Sequence, residues 1–144
     1  MALLKSITIA GDRGVLTFQV DCDSASRENE ADLLWFRCDC SLSIGAFRAE
    51  FPLHMTYEDL QAMRGQLQSV SAGVTDRAEI SNLEEDFVCK LVLQKTGSIN
   101  VQGVISPRIA SFATLTFSFE SDLATADRSI KELSAIMRAA AGFR

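Results

Sequence analysis

Strict alternation of apolar and polar residues is the feature that most limits what this chain can form. Every second residue from position 16 to position 22 is apolar, and the same holds from position 113 to position 119. Successive side chains of a strand point to opposite faces, so this pattern predicts strands with one face in the core and one in water. The chain must therefore build a sheet whose two faces differ.

The alternation predicts seven to eight strands in all. They are expected at residues 3–10, 15–22, 36–44, 47–53, 77–82, 87–94, 99–106 and 113–120. Gly11 and Gly14 flank the first turn, where we expect positive φ angles typical of a tight hairpin. Gly103 interrupts a strand and indicates a bulge or a close approach of another backbone segment. Residues 23–32 are polar and predict a solvated loop.

Two segments change to the helical period. Apolar residues recur at steps of three and four over residues 56–71 and 123–141. Thr56 and Asp59 have the spacing of a capping box at the start of the first helix. Strands that are separated by turns rather than by helices pair in antiparallel fashion, so we expect an α+β fold. The predicted architecture is an antiparallel sheet or sandwich with two packed helices, one domain over residues 1–144, and no internal repeat.

Charge and composition exclude several functional classes. The chain has 144 residues, of which 47% are hydrophobic, and its net charge is −5. This charge has the wrong sign for direct binding of nucleic acid. No apolar run is long enough to span a membrane, and residues 1–10 lack the pattern of an export signal. We therefore expect a cytoplasmic protein that contacts neither nucleic acid nor membrane.

Four cysteines are the first candidates for metal or redox chemistry. They are Cys22, Cys38, Cys40 and Cys89. All four fall on the apolar rows of predicted strands, and none has the Cys-x2-Cys spacing of a structural zinc site. The interpretation is that they are core thiols in a reducing compartment, and we expect no metal site.

His54 is the only histidine and the one candidate for activating a nucleophile. Its position at a strand end favours a structural hydrogen bond or simple exposure. The chain contains no nucleophile elbow, no phosphate-binding loop and no dinucleotide-binding motif. The sequence thus predicts no catalytic residue and no cofactor.

Carboxylates form two groups, either of which is a solvated edge or a partner surface. The groups are Asp21, Asp23, Glu28, Glu30 and Asp32, and Glu79, Glu84, Glu85 and Asp86. An acidic patch steers and orients a basic partner, so the second group is predicted to contact one. Trp35 lies in phase with polar residues and is either an interface anchor or the cover of a small second core.

A series of short motifs in a fixed order resembles the small bacterial proteins known as WapI-type immunity proteins. The motifs are Trp35-Phe36, Gly45-x-Phe47-x-x-x-Phe51-Pro52-Leu53, Tyr57-x-Asp59-Leu60, Ala78-Glu79 with Glu84, Gly97-x-Ile99-x-Val101-x-Gly103, and Leu115-x-Phe117-x-Phe119-Glu120-x-Asp122. The similarity covers roughly residues 33–140. It implies that these residues pack, turn the chain or cap helices; Asp59 and Asp122 are the expected caps.

The resemblance further implies a cytoplasmic, non-enzymatic protein that neutralises a cognate secreted toxin by stoichiometric occlusion. A basic nuclease domain is one candidate partner. The predicted contacts are Glu79, Glu84, Glu85, Asp86 and Trp35. The first alternative is a structural protein that forms a homodimer through a sheet edge, for which the hairpin at residues 87–106 offers a route. The second alternative is a small-molecule binder that uses His54 and a carboxylate.

Overall fold

A computed structural model describes residues 3–26, 33–110 and 113–140. This part of the chain contains eight strands and two α-helices. In chain order they are β1 (Leu4–Ala10), β2 (Gly14–Asp21), β3 (Trp35–Ile44), β4 (Phe47–Thr56), α1 (Tyr57–Ser71), β5 (Arg77–Ser81), β6 (Phe87–Leu93), β7 (Ser98–Ile105), β8 (Leu115–Asp122) and α2 (Leu123–Ala140). Residues 27–32 of the predicted polar loop lie outside the described residues, as does residue 141 of the second predicted helix.

The strands form two antiparallel sheets of four strands each, in the orders β1-β2-β3-β4 and β5-β6-β7-β8. The α+β prediction with two helices is confirmed. Each sheet is followed by one helix, so an N-terminal half (β1 to α1) and a C-terminal half (β5 to α2) share one arrangement. The sequence was expected to have no internal repeat, yet the topology repeats. Only the order of elements is shared between the halves, and different side chains fill the two.

Each helix packs against the sheet of the other half of the chain. α2 packs on β1 and α1 packs on β5, so each helix covers the first strand of the other half. In the first contact, Glu132 Oε1 accepts from the Thr8 N–H at 2.9 Å, and Ser129 Oγ donates to the Thr8 carbonyl at 2.8 Å. In the second, Gln66 Oε1 accepts from the Glu79 N–H at 3.0 Å. Helix side chains thereby satisfy strand edges that would otherwise be open to pairing.

The first turn of each half likewise bonds to the other half or to its last strand, as the β1–β2 and β5–β6 turns show. Asp12, in the β1–β2 turn, donates its N–H to the Glu120 carbonyl at 2.9 Å, and its Oδ1 accepts from the Glu120 N–H at 3.1 Å. Asn82, in the β5–β6 turn, donates from Nδ2 to the His54 carbonyl at 3.1 Å. Glu120 lies on β8 and His54 on β4, so each turn binds the last strand of the other half.

The glycine predictions have mixed outcomes. Positive φ angles at Gly11 and Gly14 were expected, but neither glycine is among the positive-φ residues. Both instead lie against β8: a Cβ on Gly14 would meet the Phe119 ring at 2.6 Å. Gly103 is not a bulge, because its pairing with β6 and β8 is continuous. What approaches it closely is a side chain and not a backbone segment, since a Cβ there would lie 2.4 Å from Phe117 Cζ.

The core lies between the inner faces of the two sheets and the helices. Phe18 of the first sheet meets Phe87 of the second with ring centroids 4.7 Å apart. All four cysteines are buried and free within this core, as predicted. Burial raises the pKa of the Cys89 thiol to about 12 and raises the pKa of Cys38 well above its usual range. These thiols therefore stay protonated at neutral pH, and a protonated thiol is a poor nucleophile.

α1 starts as the sequence predicts. Thr56 Oγ1 accepts from the Asp59 N–H at 3.0 Å, and Asp59 Oδ2 accepts from the Thr56 N–H at 2.9 Å, which completes the capping box. Asp122 caps α2 by accepting from the Thr125 N–H at 2.9 Å. Among the described residues, no helix has both the length and the apolar character needed to cross a membrane.

Gly65 offers a direct test of helix propensity. It lies exposed in the middle of α1, and a Cβ there would meet nothing within 4 Å. Gly65→Ala is therefore expected to raise the free energy of unfolding by about 1 kcal/mol, because alanine loses less backbone entropy in a helix. Urea denaturation followed by circular dichroism would measure the change. A loss of stability would mean that this face of α1 is covered.

Candidate partner-binding surface

The β5–β6 turn, residues 82–86, carries three of the four predicted acidic contacts. Asn82 is 2% exposed and organises the turn. Its Oδ1 accepts from the Asp86 N–H at 2.8 Å, while its Nδ2 donates to Asp86 Oδ2 at 2.8 Å. The same Nδ2 holds the turn against β4 through the His54 carbonyl. The turn is therefore fixed from inside by an amide and a carboxylate.

Asp86 does not belong to the surface on which the sequence placed it. It is 3% exposed, and its Oδ1 accepts from the Arg108 N–H at 2.8 Å. Its own carbonyl accepts from the Ser106 N–H at 2.8 Å. Both carboxylate oxygens are thus engaged by other parts of the chain. A run of acidic residues in a sequence predicts solvated carboxylates. Here the Asp86 carboxylate instead bonds the turn to the segment after β7, and Asp86 is therefore not part of the contact surface.

Glu84 and Glu85 are the carboxylates that the turn presents outward. Glu85 is exposed and has a φ of 57°, a backbone conformation common in tight turns. Glu84 is part-exposed and pairs with Arg108 at 2.5 Å. An ion pair at the surface contributes about 0 to 1 kcal/mol to stability, so Arg108 does little to fix the fold through this pair.

Glu79 lies apart from the turn. It is exposed in the middle of β5, on the outer face of the second sheet, and its register partner on β6 is Lys90. A cation directly opposite a carboxylate across two strands reduces the local negative charge. The four predicted carboxylates therefore do not form one patch. Glu84 and Glu85 share the turn, Glu79 faces a lysine, and Asp86 is buried.

Trp35 lies on β3 of the first sheet, next to β4, the strand to which the turn is bonded. It is half-buried at the start of β3, and its ring meets His54 edge-on with centroids 6.4 Å apart. Its indole Nε1 is buried without a hydrogen-bond partner among the described residues. The structure thus brings Trp35 and Glu84 to one region through His54, whose ring is exposed.

A pocket of about 220 Å³ lies beside His54 and Glu84. Its lining residues are Pro52, Leu53, His54, Glu84, Asp86, Arg108 and Ile109. Two exposed apolar side chains flank it: Leu83 is 57% exposed and Ile109 is 73% exposed. We call this region the corner surface, and its members are Trp35, His54, Leu83, Glu84, Glu85, Arg108 and Ile109. Sequence reasoning missed Leu83, Arg108 and Ile109, because only the fold brings the segment after β7 against the turn.

Asp59 connects the corner surface to α1. Besides capping the helix, its Oδ2 accepts from the Leu83 N–H at 3.1 Å. Burial raises the pKa of Asp59, although the hydrogen bonds from Thr56 and Leu83 act to lower it. A raised pKa means that the folded chain holds the proton more tightly than the unfolded chain. The stability contributed by Asp59 is therefore full below its unfolded pKa and is lost as pH rises through the folded pKa.

Asp59→Asn tests this sign. An asparagine oxygen can accept from both backbone N–H groups without carrying a charge. We expect the stability of the natural chain relative to Asp59→Asn to fall as pH rises above the ordinary pKa of an aspartate, about 4. Urea denaturation across this range measures the difference. Asp59→Ala, which removes the acceptor of the Thr56 and Leu83 N–H groups but keeps the bond to Thr56 Oγ1, should cost about 1 kcal/mol or more. A relative stability that rises with pH would show a lowered pKa instead.

Metal binding finds no support in the described part of the chain. No group of three or more histidine, cysteine, aspartate or glutamate side chains is arranged there to hold an ion.

Comparison with known families decides the classification. The sequence profile of the immunity protein WapI-like family matches residues 7–140. The chain belongs to this family. The match covers nearly all of this WapI-like protein, including both halves, both helices and every member of the corner surface. A comparison with individual curated proteins finds no match.

Solved structures add a likeness of fold. The plant transcriptional regulator PBF-2 superposes on the WapI-like protein with a TM-score of 0.54 at 10% identity, over 99% of this chain and 84% of that one. A guide-RNA-binding protein complex bound to a guide RNA gives a TM-score of 0.52 at 9% identity, over 99% and 94% of the two chains. At such identities the likeness concerns the fold alone.

Proposed function

We propose that this WapI-like protein neutralises a cognate toxin protein by binding it stoichiometrically in the cytoplasm of the producing cell, without catalysing a reaction. The observation that carries the proposal is the family match over residues 7–140. An immunity protein of this kind must present a surface that covers the active region of its toxin. Its specificity then resides in surface side chains and not in the core.

The corner surface is the proposed centre of that contact. Leu83 and Ile109 are exposed apolar side chains of this surface, which also carries the half-buried Trp35 and the carboxylates of Glu84 and Glu85. Protein interfaces commonly combine apolar or aromatic anchors with a polar rim. The turn that carries Leu83 is held by buried hydrogen bonds, so these side chains are already positioned before a partner arrives.

A basic toxin domain is the partner that the charge favours. The chain has a net charge of −5. Glu84 and Glu85 add carboxylates on the corner surface, and Glu79 adds an exposed one on β5, outside that surface. Opposite charges accelerate encounter and orient the partners as they approach. A nuclease domain, which must grip a polyanion, would carry the complementary charge.

Reversal of the three carboxylates tests the charge argument. Glu79→Lys/Glu84→Lys/Glu85→Lys is expected to lower the association rate constant with the toxin about ten-fold or more at low salt, with a smaller change in dissociation. Stopped-flow fluorescence at low and high salt measures both rates, and the defect should shrink as salt screens the charges.

A matched control changes charge elsewhere. Asp39→Lys/Glu50→Lys/Glu58→Lys reverses three exposed carboxylates of the N-terminal half and changes the net charge by the same amount. It is expected to slow association less than the first variant does. Equal slowing by both would mean that total charge matters and that the three carboxylates have no special place in the contact.

Neutralisation itself is tested by co-expression. The probe is the toxin domain encoded beside this chain in its genome, produced in a host that it kills. Expression of the WapI-like protein should restore growth, and the purified pair should elute as a one-to-one complex in size-exclusion chromatography with light scattering. Growth restored without a complex would indicate catalysis or an indirect effect, and no restoration would remove this toxin as the partner.

A further inference from the structure

β8 has a free edge. Glu120 directs its N–H and carbonyl away from β7, because both bond to Asp12 of the β1–β2 turn. Residues two apart on a strand direct these groups the same way, so those of Ser118 and Thr116 also point away from β7. No hydrogen bond within the described residues reaches them. A short unpaired row of main-chain donors and acceptors therefore remains on this strand.

The equivalent edge in the other half is blocked. His54 lies three residues before α1 and is bonded by the β5–β6 turn, as Glu120 lies three residues before α2 and is bonded by the β1–β2 turn. Two residues before His54 stands Pro52, where β8 has Ser118. Proline has no N–H and protects an edge from pairing. Arg48 and Glu50 add an exposed ion pair at 2.6 Å along the same edge. At this equivalent position β8 keeps an N–H that β4 lacks.

Two apolar grooves flank the free edge. One, of about 510 Å³, is lined by Arg13, Ile44, Gly45, Phe47 and residues 115–118. The other, of about 580 Å³, is lined by Val88, Lys90, Gln102, Gly103, Val104, Thr116, Phe117 and Ser118. Phe47 is 72% exposed in the first groove, and Val104 is 41% exposed in the second. A strand laid along β8 would place alternate side chains toward the two grooves.

We propose that the free edge of β8 receives an extended segment of the toxin as an added strand, with apolar side chains at alternate positions; this rests on the proposed function. Main-chain hydrogen bonds to Thr116 and Ser118 would hold the segment, and the two grooves would select its side chains. Hydrogen bonds of this kind do not depend on partner sequence, so the edge can hold a partner while the corner surface distinguishes it.

The extent of the edge favours a segment of another protein over a second copy of this chain. Within the part of the chain that the structure describes, the open positions of β8 are Thr116 and Ser118, because Asp12 bonds to Glu120. A stable dimer needs about 800 Å² from each partner, and a two-residue pairing between identical strands supplies far less. A copy would also bring a second net charge of −5 to the contact. A short apolar segment that continues into a basic domain meets neither obstacle.

Two variants test separately the main-chain and the side-chain contributions of the β8 edge to toxin binding. Ser118→Pro removes an outward N–H without touching the bonds to β7, and Phe47→Ser removes the exposed ring of the first groove. Each is expected to raise the Kd for the toxin domain about ten-fold or more in titration calorimetry. Val74→Ser is the matched control, because Val74 is 79% exposed on the segment after α1, and it should leave the Kd within about two-fold.

Amide hydrogen exchange, resolved by NMR, distinguishes protection of the β8 edge by a partner from loss of structure in a variant. In the free protein the amides of Thr116 and Ser118 should exchange fast, and in the complex they should slow about 100-fold or more. No slowing in a complex that forms would overturn the edge proposal and leave the proposed function intact. Slowing in the free protein that grows with its concentration would place a second copy on the edge and also overturn it. Failure of the natural chain to bind the toxin at all would remove the proposed function itself.

Discussion

Asp86→Ala is expected to lower the free energy of unfolding by about 3 kcal/mol. The substitution leaves one N–H of the buried Asn82 side-chain amide and the part-buried Arg108 N–H without their acceptors. Each buried donor without a partner costs about 1–3 kcal/mol. Urea denaturation monitored by near-UV circular dichroism measures the loss, and an unchanged slope would show that the transition remains two-state.

Two companion variants separate the buried role of Asp86 from acidity in general. Asp86→Asn keeps one acceptor but turns an amide toward that of Asn82, so its cost should fall between zero and that of alanine. Glu85→Gln, one residue away and exposed, should change stability by less than about 0.5 kcal/mol. Equal effects of Asp86→Ala and Glu85→Gln would contradict the buried network.

Asp86 also affects how binding data on the corner surface should be read. The carboxylate holds the turn that carries Leu83, Glu84 and Glu85, so its loss would free those side chains as well. Weak toxin binding by Asp86→Ala would then reflect lost positioning and not a lost contact. The charge-reversal variant leaves Asp86 in place for this reason.

The sequence predicted those parts of the fold that depend on local pattern. Alternation placed all eight strands within a few residues, because one face of each lies in the core. The capping box at Thr56 and Asp59 was found because its two partners are three residues apart. The four cysteines were assigned to the core because they share rows with apolar neighbours.

The rest depends on contacts between residues far apart in the chain. Asp86 is buried by a segment more than twenty residues later, and nothing in its acidic neighbourhood reveals this. The hairpin at residues 87–106 was expected to offer a free edge, but β6 and β7 both lie inside the second sheet, and the free edge is on β8. The strand order and the packing of each helix on the other half decide which strand edges stay open. The alternation of apolar and polar residues predicts neither of them.

Gly11 is another residue whose role depends on a contact far away in the chain, and its substitution is expected to have a large effect on stability. The turn position suggested a residue chosen for backbone freedom, whereas the structure needs one without a side chain. A Cβ at this position would lie 2.1 Å from the Glu120 carbonyl oxygen and 2.5 Å from Phe119 Cδ2. Gly11→Ala is therefore expected to cost about 3 kcal/mol, because the β1–β2 turn would have to leave β8. Thermal and urea unfolding measure the cost.

Gly103→Ala provides the comparison that identifies the obstacle. The three atoms nearest to a Cβ there all belong to the ring of Phe117, so adding Phe117→Leu should restore part of the lost stability. No side-chain change should rescue Gly11→Ala to the same degree, since its nearest obstacle is a backbone atom. Gly65→Ala, with nothing within 4 Å, should stabilise the chain. One added methyl group thus gives three different results, each decided by what the Cβ meets. Equal costs at positions 11, 65 and 103 would show that backbone entropy alone governs these glycines.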